Sequence, residues 1–138
     1  MTRTELLAFL RPHKLAVQAS LHADGGPQAA VVGIAVTDDL ELVFDTVTTS
    51  RKHANLVRDP RIALVIGWDH EATAQIEGVA DQPTGDDLAR AKAAYFVAYP
   101  DGHARAHLPT IAYWRVRPRW VKVSDYYTQP PRIVELTL

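Results

Sequence analysis

Hydroxyl and basic side chains meet within one short stretch of the chain, residues 44–55 (FDTVTTSRKHAN). An apolar strand leads into Thr49 and Ser50, and Arg51 and Lys52 follow directly. Ser50 is a favoured N-cap residue, so we expect a helix to begin at Arg51. A helix N-terminus carries unpaired N–H groups and a partial positive charge, which together bind anions. The junction therefore predicts a site for a phosphate monoester; a capped surface helix with two solvated cations is the alternative.

The composition is that of an ordinary globular protein and narrows the possible chemistry. The chain has 138 residues, 47% of them hydrophobic and 22% charged, with a formal net charge of −1 and no cysteine. We expect a single domain over residues 1–138. The near-zero charge gives no field that would attract nucleic acid, and the lack of cysteine excludes disulfides, thiolate metal ligands and cysteine nucleophiles.

No sequence signal points to a membrane or to export. No apolar run approaches the roughly 18 residues that a membrane-spanning helix needs. The first ten residues contain an acid within a short apolar run, which is not typical of a signal peptide. We therefore expect a cytoplasmic protein with no membrane partner.

Hydrophobic periodicity predicts a small, mainly β protein with peripheral helices. Strands are indicated at residues 15–21, 28–37, 40–45, 62–68, 73–78, 111–117 and 120–126. Helices are indicated at residues 3–10, 51–58 and from Thr84 to about Tyr99. The first strand alternates apolar and polar residues, which is typical of a half-buried strand. About seven strands joined by short turns favour an antiparallel barrel.

The ordered motifs resemble the pyridoxamine 5′-phosphate oxidase-like family of FMN-binding split barrels. The likeness runs, in order and spacing, through Phe44-Asp45-Thr46, Ser50-Arg51-Lys52, Asn55-Leu56, Asp59-Pro60-Arg61, Gln75-Ile76-Glu77-Gly78, Tyr95-Phe96 and Trp114-Arg115-Val116-Arg117-Pro118 with Trp120. It covers nearly the whole chain. It implies an FMN-binding split β-barrel, antiparallel and mainly β with peripheral helices.

The resemblance also implies a cofactor site. The Arg-Lys pair of the family holds the FMN phosphate, and it corresponds to Arg51 and Lys52, with nearby hydroxyls as donors. A fifth-strand glutamine of the family faces the flavin ring; it aligns with Thr73, while Gln75 lies on the same strand face. We leave open which of the two faces the ring. The implied cofactor residues are Val32, Asp45, Thr46, Thr49, Ser50, Arg51, Lys52, Thr73, Gln75 and Trp120.

The family assembles this site at a twofold dimer interface, so the resemblance implies a homodimer. Aromatic residues are enriched in interface cores. The candidates for the partner-side wall are Trp114, Trp120, Tyr126 and Tyr127. The alternative for each is the core of the barrel, and we favour it for Trp114.

Departures from the family pattern argue against oxidation of pyridoxine 5′-phosphate. The second strand lacks the arginine and lysine of the true vitamin oxidases, because the matching stretch is Ala30–Ala35. Tyr99 stands where the family has an arginine that grips the phosphate of the substrate, and a phenol cannot pair with a dianion in that way. We expect Tyr95 and Tyr99 to line a less charged, more aromatic pocket for a small-molecule substrate.

We therefore predict an FMN-dependent oxidoreductase acting on a small planar substrate. A non-enzymatic FMN-binding or storage protein and a deazaflavin-dependent reductase on the same fold remain alternatives, since both cofactors carry phosphate. Haem is a less favoured alternative, suggested because related split barrels bind it through a histidine. His103 and His107 are spaced like helical metal ligands, but flanking glycine and proline favour exposed loop residues and no metal site. His70 is expected in a turn.

Overall fold

The computed structural model describes residues 1–69 and 71–138, and within these ranges the protein is mainly β. The predicted turn residue His70 lies outside the described residues. The helices are α1 (Arg3–Leu10), α2 (Arg51–Arg58) and α3 (Gly85–Ala98), with a 3-10 helix (Pro100–Arg105) after α3. The strands are β1 (Leu15–Leu21), β2 (Pro27–Gly33), β3 (Ala35–Val36), β4 (Leu42–Val47), β5 (Arg61–Ile66), β6 (Ala72–Asp81), β7 (Ile111–Asp125) and β8 (Arg132–Thr137).

The described strands form one antiparallel sheet that curls into a half-barrel. The strand order is β2-β1-β5-β6-β7-β4-β3, and β8 pairs with the second half of β7. Only Ile34 separates β2 from β3, although these strands are the two ends of that order. The sheet must therefore curl until its two edges lie side by side. The predicted fold class, a small antiparallel split barrel, is confirmed.

The strand predictions were wrong at three places. The single strand expected over residues 28–37 is divided at Ile34, because the chain passes there from one sheet edge to the other. The two strands expected on either side of Pro118 are one 15-residue strand, β7. A strand was also missed at the C-terminus, where Arg132–Thr137 pairs with β7 as β8.

A β-bulge explains why β7 can continue past Pro118. Glu77 pairs with Trp120 and Gly78 pairs with Pro118, so Arg119 is an extra residue on β7. A Cβ at Gly78 would lie 2.5 Å from the carbonyl oxygen of Arg117, so only glycine fits this close approach of two backbones.

The core lies inside the curl of the sheet. Leu42 and Phe44 of β4 are fully buried there, as their shared strand face predicts, and Trp114 of β7 packs beside them at 2% exposure. The barrel-core alternative for Trp114 is thus confirmed. α1 has the predicted capping box at Thr2 and Glu5. Thr84 is the N-cap residue of α3, although its side chain makes no capping hydrogen bond.

β1 is half-buried as predicted, but its polar face points inward. Gln18 and Ser20 are buried beneath α2, whereas Val17 is only partly covered and Leu15 is exposed. The inversion is possible because Asn55 of α2 hydrogen-bonds to the Ser20 hydroxyl. No helix in the described part of the chain has the length and apolar character needed to cross a bilayer.

Candidate functional site

The start of α2 is a tightly bonded turn. Ser50 is its N-cap, and the Ser50 Oγ accepts a hydrogen bond from the backbone N–H of His53 at 3.2 Å. The same Oγ lies 2.9 Å from the Thr46 hydroxyl at the end of β4. Two of the implied cofactor residues, Thr46 and Ser50, thus fix the position at which Arg51 and Lys52 enter the helix. Thr49 is exposed beside them.

Arg51 and Lys52 have no ion-pair partner within residues 1–69 and 71–138. Other arginines do have one: Arg61 pairs with Asp59, and Arg105 pairs with Asp45. Lys52 is half-buried and Arg51 is exposed. Two adjacent cations at a helix N-terminus therefore face a position where the described residues place no anion.

A cavity of about 330 Å³ lies beside these two cations. It separates the first turn of α2 from the inward face of β1 and from the start of β2. Its lining residues are Gln18, Ser20, Gln28, Ala29, Ala30, Arg51, Lys52 and Asn55. The lining thus combines two positive charges with neutral polar and small apolar groups.

The floor of the cavity is a hydrogen-bonded network centred on Asn55. The Asn55 amide donates to the Ser20 Oγ at 3.1 Å and to the Gln28 Oε1 at 2.9 Å, and Arg58 donates to the Asn55 Oδ1 at 3.1 Å. Gln18 lies next to this network at 1% exposure, and among the described residues its carbonyl oxygen has no hydrogen-bond partner. The sequence analysis did not single out Gln18, because its position in the alternating pattern looked solvent-exposed.

Thr73, Gln75 and Trp120 are not brought together with Arg51 and Lys52. Their neighbours Ala74, Ile76 and Val121 point into the core, so these three side chains lie on the outer face of the sheet. Gln75 and Trp120 line a separate shallow cavity of about 280 Å³ there. Within one chain Thr73, Gln75 and Trp120 thus lie on the opposite face of the sheet from Arg51 and Lys52.

Asp45 belongs to a third group, under α3. Its carboxylate accepts hydrogen bonds from the Tyr95 hydroxyl at 2.9 Å and from the Arg105 Nε at 3.0 Å. Tyr95 is 2% exposed, and burial together with the Asp45 carboxylate raises the pKa of its phenol. Hydrogen bonding of its guanidinium to the Asp45 carboxylate and to the Tyr95 hydroxyl raises the pKa of Arg105. Arg105 was missed in the sequence, since it lies in a segment without periodicity, 60 residues from Asp45.

Tyr99 fastens the end of α3 to the barrel. Its ring stacks on Tyr95, with 5.1 Å between centroids, and its hydroxyl donates to the carbonyl oxygen of Lys14. A Cβ at Gly33 would lie 2.8 Å from this phenol, so Tyr99 occupies the space that the glycine leaves on β2. Val32, one residue earlier, is buried in the barrel core.

His53 connects the α2 site to the core and was also missed in the sequence. The Trp114 Nε1 donates a hydrogen bond to the His53 Nδ1 at 3.1 Å. Burial lowers the pKa of His53. Because Nδ1 serves as the acceptor, a neutral His53 carries its proton on Nε2. Among the described residues, no group of three or more potential metal ligands occurs.

These features define a split-barrel protein with a polar cavity flanked by two cations to which the described residues offer no ion-pair partner. The chain belongs to the pyridoxamine 5′-phosphate oxidase family: the family model described as pyridoxamine 5′-phosphate oxidase matches residues 2–125.

Comparison with an individual member of the family shows the sequence identity and the share of each chain that aligns. The chain is 36% identical over 85 residues to a pyridoxine/pyridoxamine 5′-phosphate oxidase of Bordetella avium, an alignment that covers 61% of this chain and 39% of that protein. The chain thus spans well under two thirds of the length of this curated relative.

Solved structures show the same fold at lower identity. A haem-binding protein from Mycobacterium smegmatis has a TM-score of 0.81 and 24% identity, covering 95% of this chain and 55% of that one. A putative pyridoxamine 5′-phosphate oxidase from Listeria innocua has a TM-score of 0.73 and 20% identity, covering 87% and 95%. At these identities the likeness concerns the fold alone.

Proposed function

We propose that this protein binds FMN as a homodimer and is an FMN-dependent oxidoreductase for a small planar substrate. The observation that carries the proposal is the unpaired Arg51–Lys52 couple at the start of α2, beside a neutral polar cavity. When bound, FMN would supply the hydride chemistry, while the chain binds and orients it.

The residues around the cavity suit the phosphate end of this cofactor. Arg51 offers a planar pair of donors and Lys52 a point charge, and both act beside the positive end of the helix dipole. Ser20, Gln28 and Asn55 are neutral, so the described lining contains no carboxylate that would repel a dianion. The wall formed by Ala29 and Ala30 leaves room beside the cations.

A second copy of the chain would explain why the implied residues lie on two faces. Gln75, Thr73 and Trp120 cannot reach the Lys52 side of the sheet within one chain. The outer face around them is largely apolar, and exposed apolar patches mark interaction surfaces. The apolar residues of this outer face are Leu15, Val17, Ala19, Ala29, Val31, Ala63 and Val65. An isologous contact that covers this face and continues around the β2 edge, where Gln28 and Ala30 line the cavity, would place the Gln75 group of one copy near the flavin site of its partner.

The substrate is proposed to differ from that of the vitamin oxidases. Tyr99 packs against Gly33, and its hydroxyl donates to the Lys14 carbonyl oxygen. A phenol at this position cannot pair with a phosphate as an arginine would. The alanines of β2 supply no charge either. The rings of Tyr95, Tyr99 and Tyr113 instead pack together under α3, and stacking on such rings would suit a planar, less charged molecule.

The phosphate assignment is tested by comparing FMN with riboflavin. Lys52→Ala is expected to weaken FMN binding by about 1.5–3 kcal/mol, the range for a charge-assisted hydrogen bond. Riboflavin lacks the phosphate, so its affinity is expected to stay unchanged. Both dissociation constants are measured by quenching of flavin fluorescence. Lys14→Ala, which removes an exposed lysine outside the cavity, is the matched control and is expected to leave both affinities unchanged.

Equal losses for FMN and riboflavin in Lys52→Ala would contradict the assignment of Lys52. If wild-type protein binds FMN but no donor bleaches the flavin spectrum, the protein is a storage or sensing protein and not an enzyme. Binding of deazaflavin in preference to FMN would favour the alternative, a deazaflavin-dependent reductase.

Haem is the second candidate, favoured by the similarity to the haem-binding protein of Mycobacterium smegmatis. Purified protein mixed with haem and with FMN in separate samples distinguishes the two. A Soret shift that is retained in Lys52→Ala, together with no flavin binding, would replace the FMN proposal.

A further inference from the structure

We propose that Gln18 recognises a hydroxyl group next to the bound phosphate, so that the cavity beside α2 selects a phosphorylated polyol rather than a bare anion. This inference rests on the proposed function and deepens it, because it names the part of the ligand that lies between the phosphate and the ring.

The first observation is that Gln18 occupies a core-facing position without paired polar atoms. Its side chain is 1% exposed, and no described residue donates to its carbonyl oxygen. Leaving such a buried group unsatisfied costs about 1–3 kcal/mol. The neighbouring Ser20 and Gln28 side chains are not unsatisfied in this way, because both accept hydrogen bonds from the Asn55 amide.

The second observation is that Gln18 lines the same cavity as the two unpaired cations. A phosphate bound by Arg51 and Lys52 would therefore have Gln18 beside its ester side. Rotation about the last side-chain torsion, which is broad for glutamine, turns either carboxamide atom toward the cavity.

The chemistry of the carboxamide determines which group fits there. A carboxylate or a phosphate dianion only accepts hydrogen bonds, so neither can satisfy the carbonyl oxygen of Gln18. A hydroxyl both donates and accepts, so it satisfies the carboxamide in either rotation. The part of the ligand that lies against Gln18 is therefore expected to carry a hydroxyl group. Haem propionates offer no such donor.

The test uses fragments rather than the whole cofactor. Binding of ribitol 5-phosphate, inorganic phosphate and ribitol is measured by chemical-shift titration of wild type, Gln18→Met and Ser20→Ala. In wild type, ribitol 5-phosphate is expected to bind at least about fivefold more tightly than inorganic phosphate, the factor that corresponds to one neutral hydrogen bond. Gln18→Met is expected to abolish this difference and to leave the affinity for inorganic phosphate unchanged.

A stability readout separates recognition from a structural role. Methionine has the shape of glutamine without the orphaned amide, so the unliganded Gln18→Met protein is expected to unfold at higher urea than wild type. Ser20→Ala breaks a paired hydrogen bond and is expected to unfold at lower urea. A Gln18→Met protein that is less stable than wild type, or that still prefers ribitol 5-phosphate, would overturn the proposal.

The outcomes also separate this inference from the flavin proposal. If wild type and Gln18→Met bind FMN equally well, water satisfies the Gln18 carboxamide. The inference about Gln18 then fails, while the flavin proposal stands. If ribitol 5-phosphate is preferred through Gln18 but FMN is not bound, the flavin proposal fails and the role of Gln18 stands.

Discussion

The ion pairs of this protein differ in how far their carboxylates are buried. Asp45 is held by Tyr95 and Arg105 beneath α3, whereas Asp59 and Arg61 pair at the surface. The guanidinium of Arg61 lowers the pKa of Asp59 to about 2. Both pairs have short contacts, but the side chains of Arg105 and Asp45 are 34% and 14% exposed, against 73% and 26% for Arg61 and Asp59. The Arg105–Asp45 pair should therefore contribute more to the free energy of unfolding than the Arg61–Asp59 pair.

Arg105→Met tests this difference. It leaves the mostly buried Asp45 carboxylate without its positive partner, so we expect the free energy of unfolding to fall by about 1–2 kcal/mol. Arg61→Met removes an exposed, solvent-screened partner of Asp59 and should change the free energy of unfolding far less than Arg105→Met does. Urea denaturation of the two variants checks the prediction. Equal losses would show that Arg105 acts as a surface ion pair.

The sequence reveals candidate functional residues when the proposed chemistry depends on near neighbours. Arg51, Lys52 and Ser50 could be found because capping and the helix dipole act within one turn. Arg105 and Gln18 could not, because each acquires its role from residues that only the closed barrel brings near. Gln18 looked like a solvent-facing residue for a further reason: an alternating pattern does not say which of its two faces is inside.

At the level of elements, β7 shows how one strand serves two parts of the barrel. Before the bulge its inward residues are even-numbered, such as Trp114 and Val116, and after it they are odd-numbered, such as Val121. The extra residue Arg119 keeps β7 in register with β6, whose inward residues are even throughout. The proline looked like a strand break because the sequence does not show that a bulge accommodates it.

Gly78→Ala is expected to disrupt this arrangement. The new Cβ would meet the Arg117 backbone at 2.5 Å, and backbone cannot move aside as a flexible side chain can. We expect a loss of about 3 kcal/mol in the free energy of unfolding. The control is Gly85→Ala, whose Cβ meets nothing within 4 Å, so that its cost is the strain of a positive φ of 58°, about 1 kcal/mol. Equal thermal shifts in both variants would contradict the close contact at Gly78.

The boundaries of most elements followed from local signals, while the exceptions depend on topology. α2 begins and ends at the predicted residues because its cap and its terminating Asp59-Pro60 are local. The division at Ile34 has no local signal: every residue from Ala29 to Val36 is apolar or glycine, and only the curl of the sheet separates β2 from β3. β8 likewise exists because β7 offers it an edge.

At the scale of the whole molecule, the outer sheet face exposes apolar side chains that a second copy of the chain could bury. Val31 is 58% exposed on this face, and Val97 is 85% exposed on α3, away from it. Both are surface valines in a single chain, so replacing either should disturb folding little. They should differ only if a second copy covers the outer face.

Val31→Lys is therefore expected to weaken self-association by about 2 kcal/mol or more, since it places a charge in a buried apolar contact. Val97→Lys is expected to leave self-association unchanged. Sedimentation equilibrium over a range of concentrations measures both. An unchanged dimer in Val31→Lys, or a monomeric wild type, would contradict the proposed interface.

The single residue between β2 and β3 has a further consequence for the seam of the split barrel. Ile34 acts as a covalent hinge at one end of this seam, so the two edges cannot drift apart there. The start of β2 and the end of β4 lie at the opposite end, next to α2 and the polar cavity. Any widening of the seam must therefore be wedge-shaped and largest at the polar cavity, so the barrel can open there at least cost.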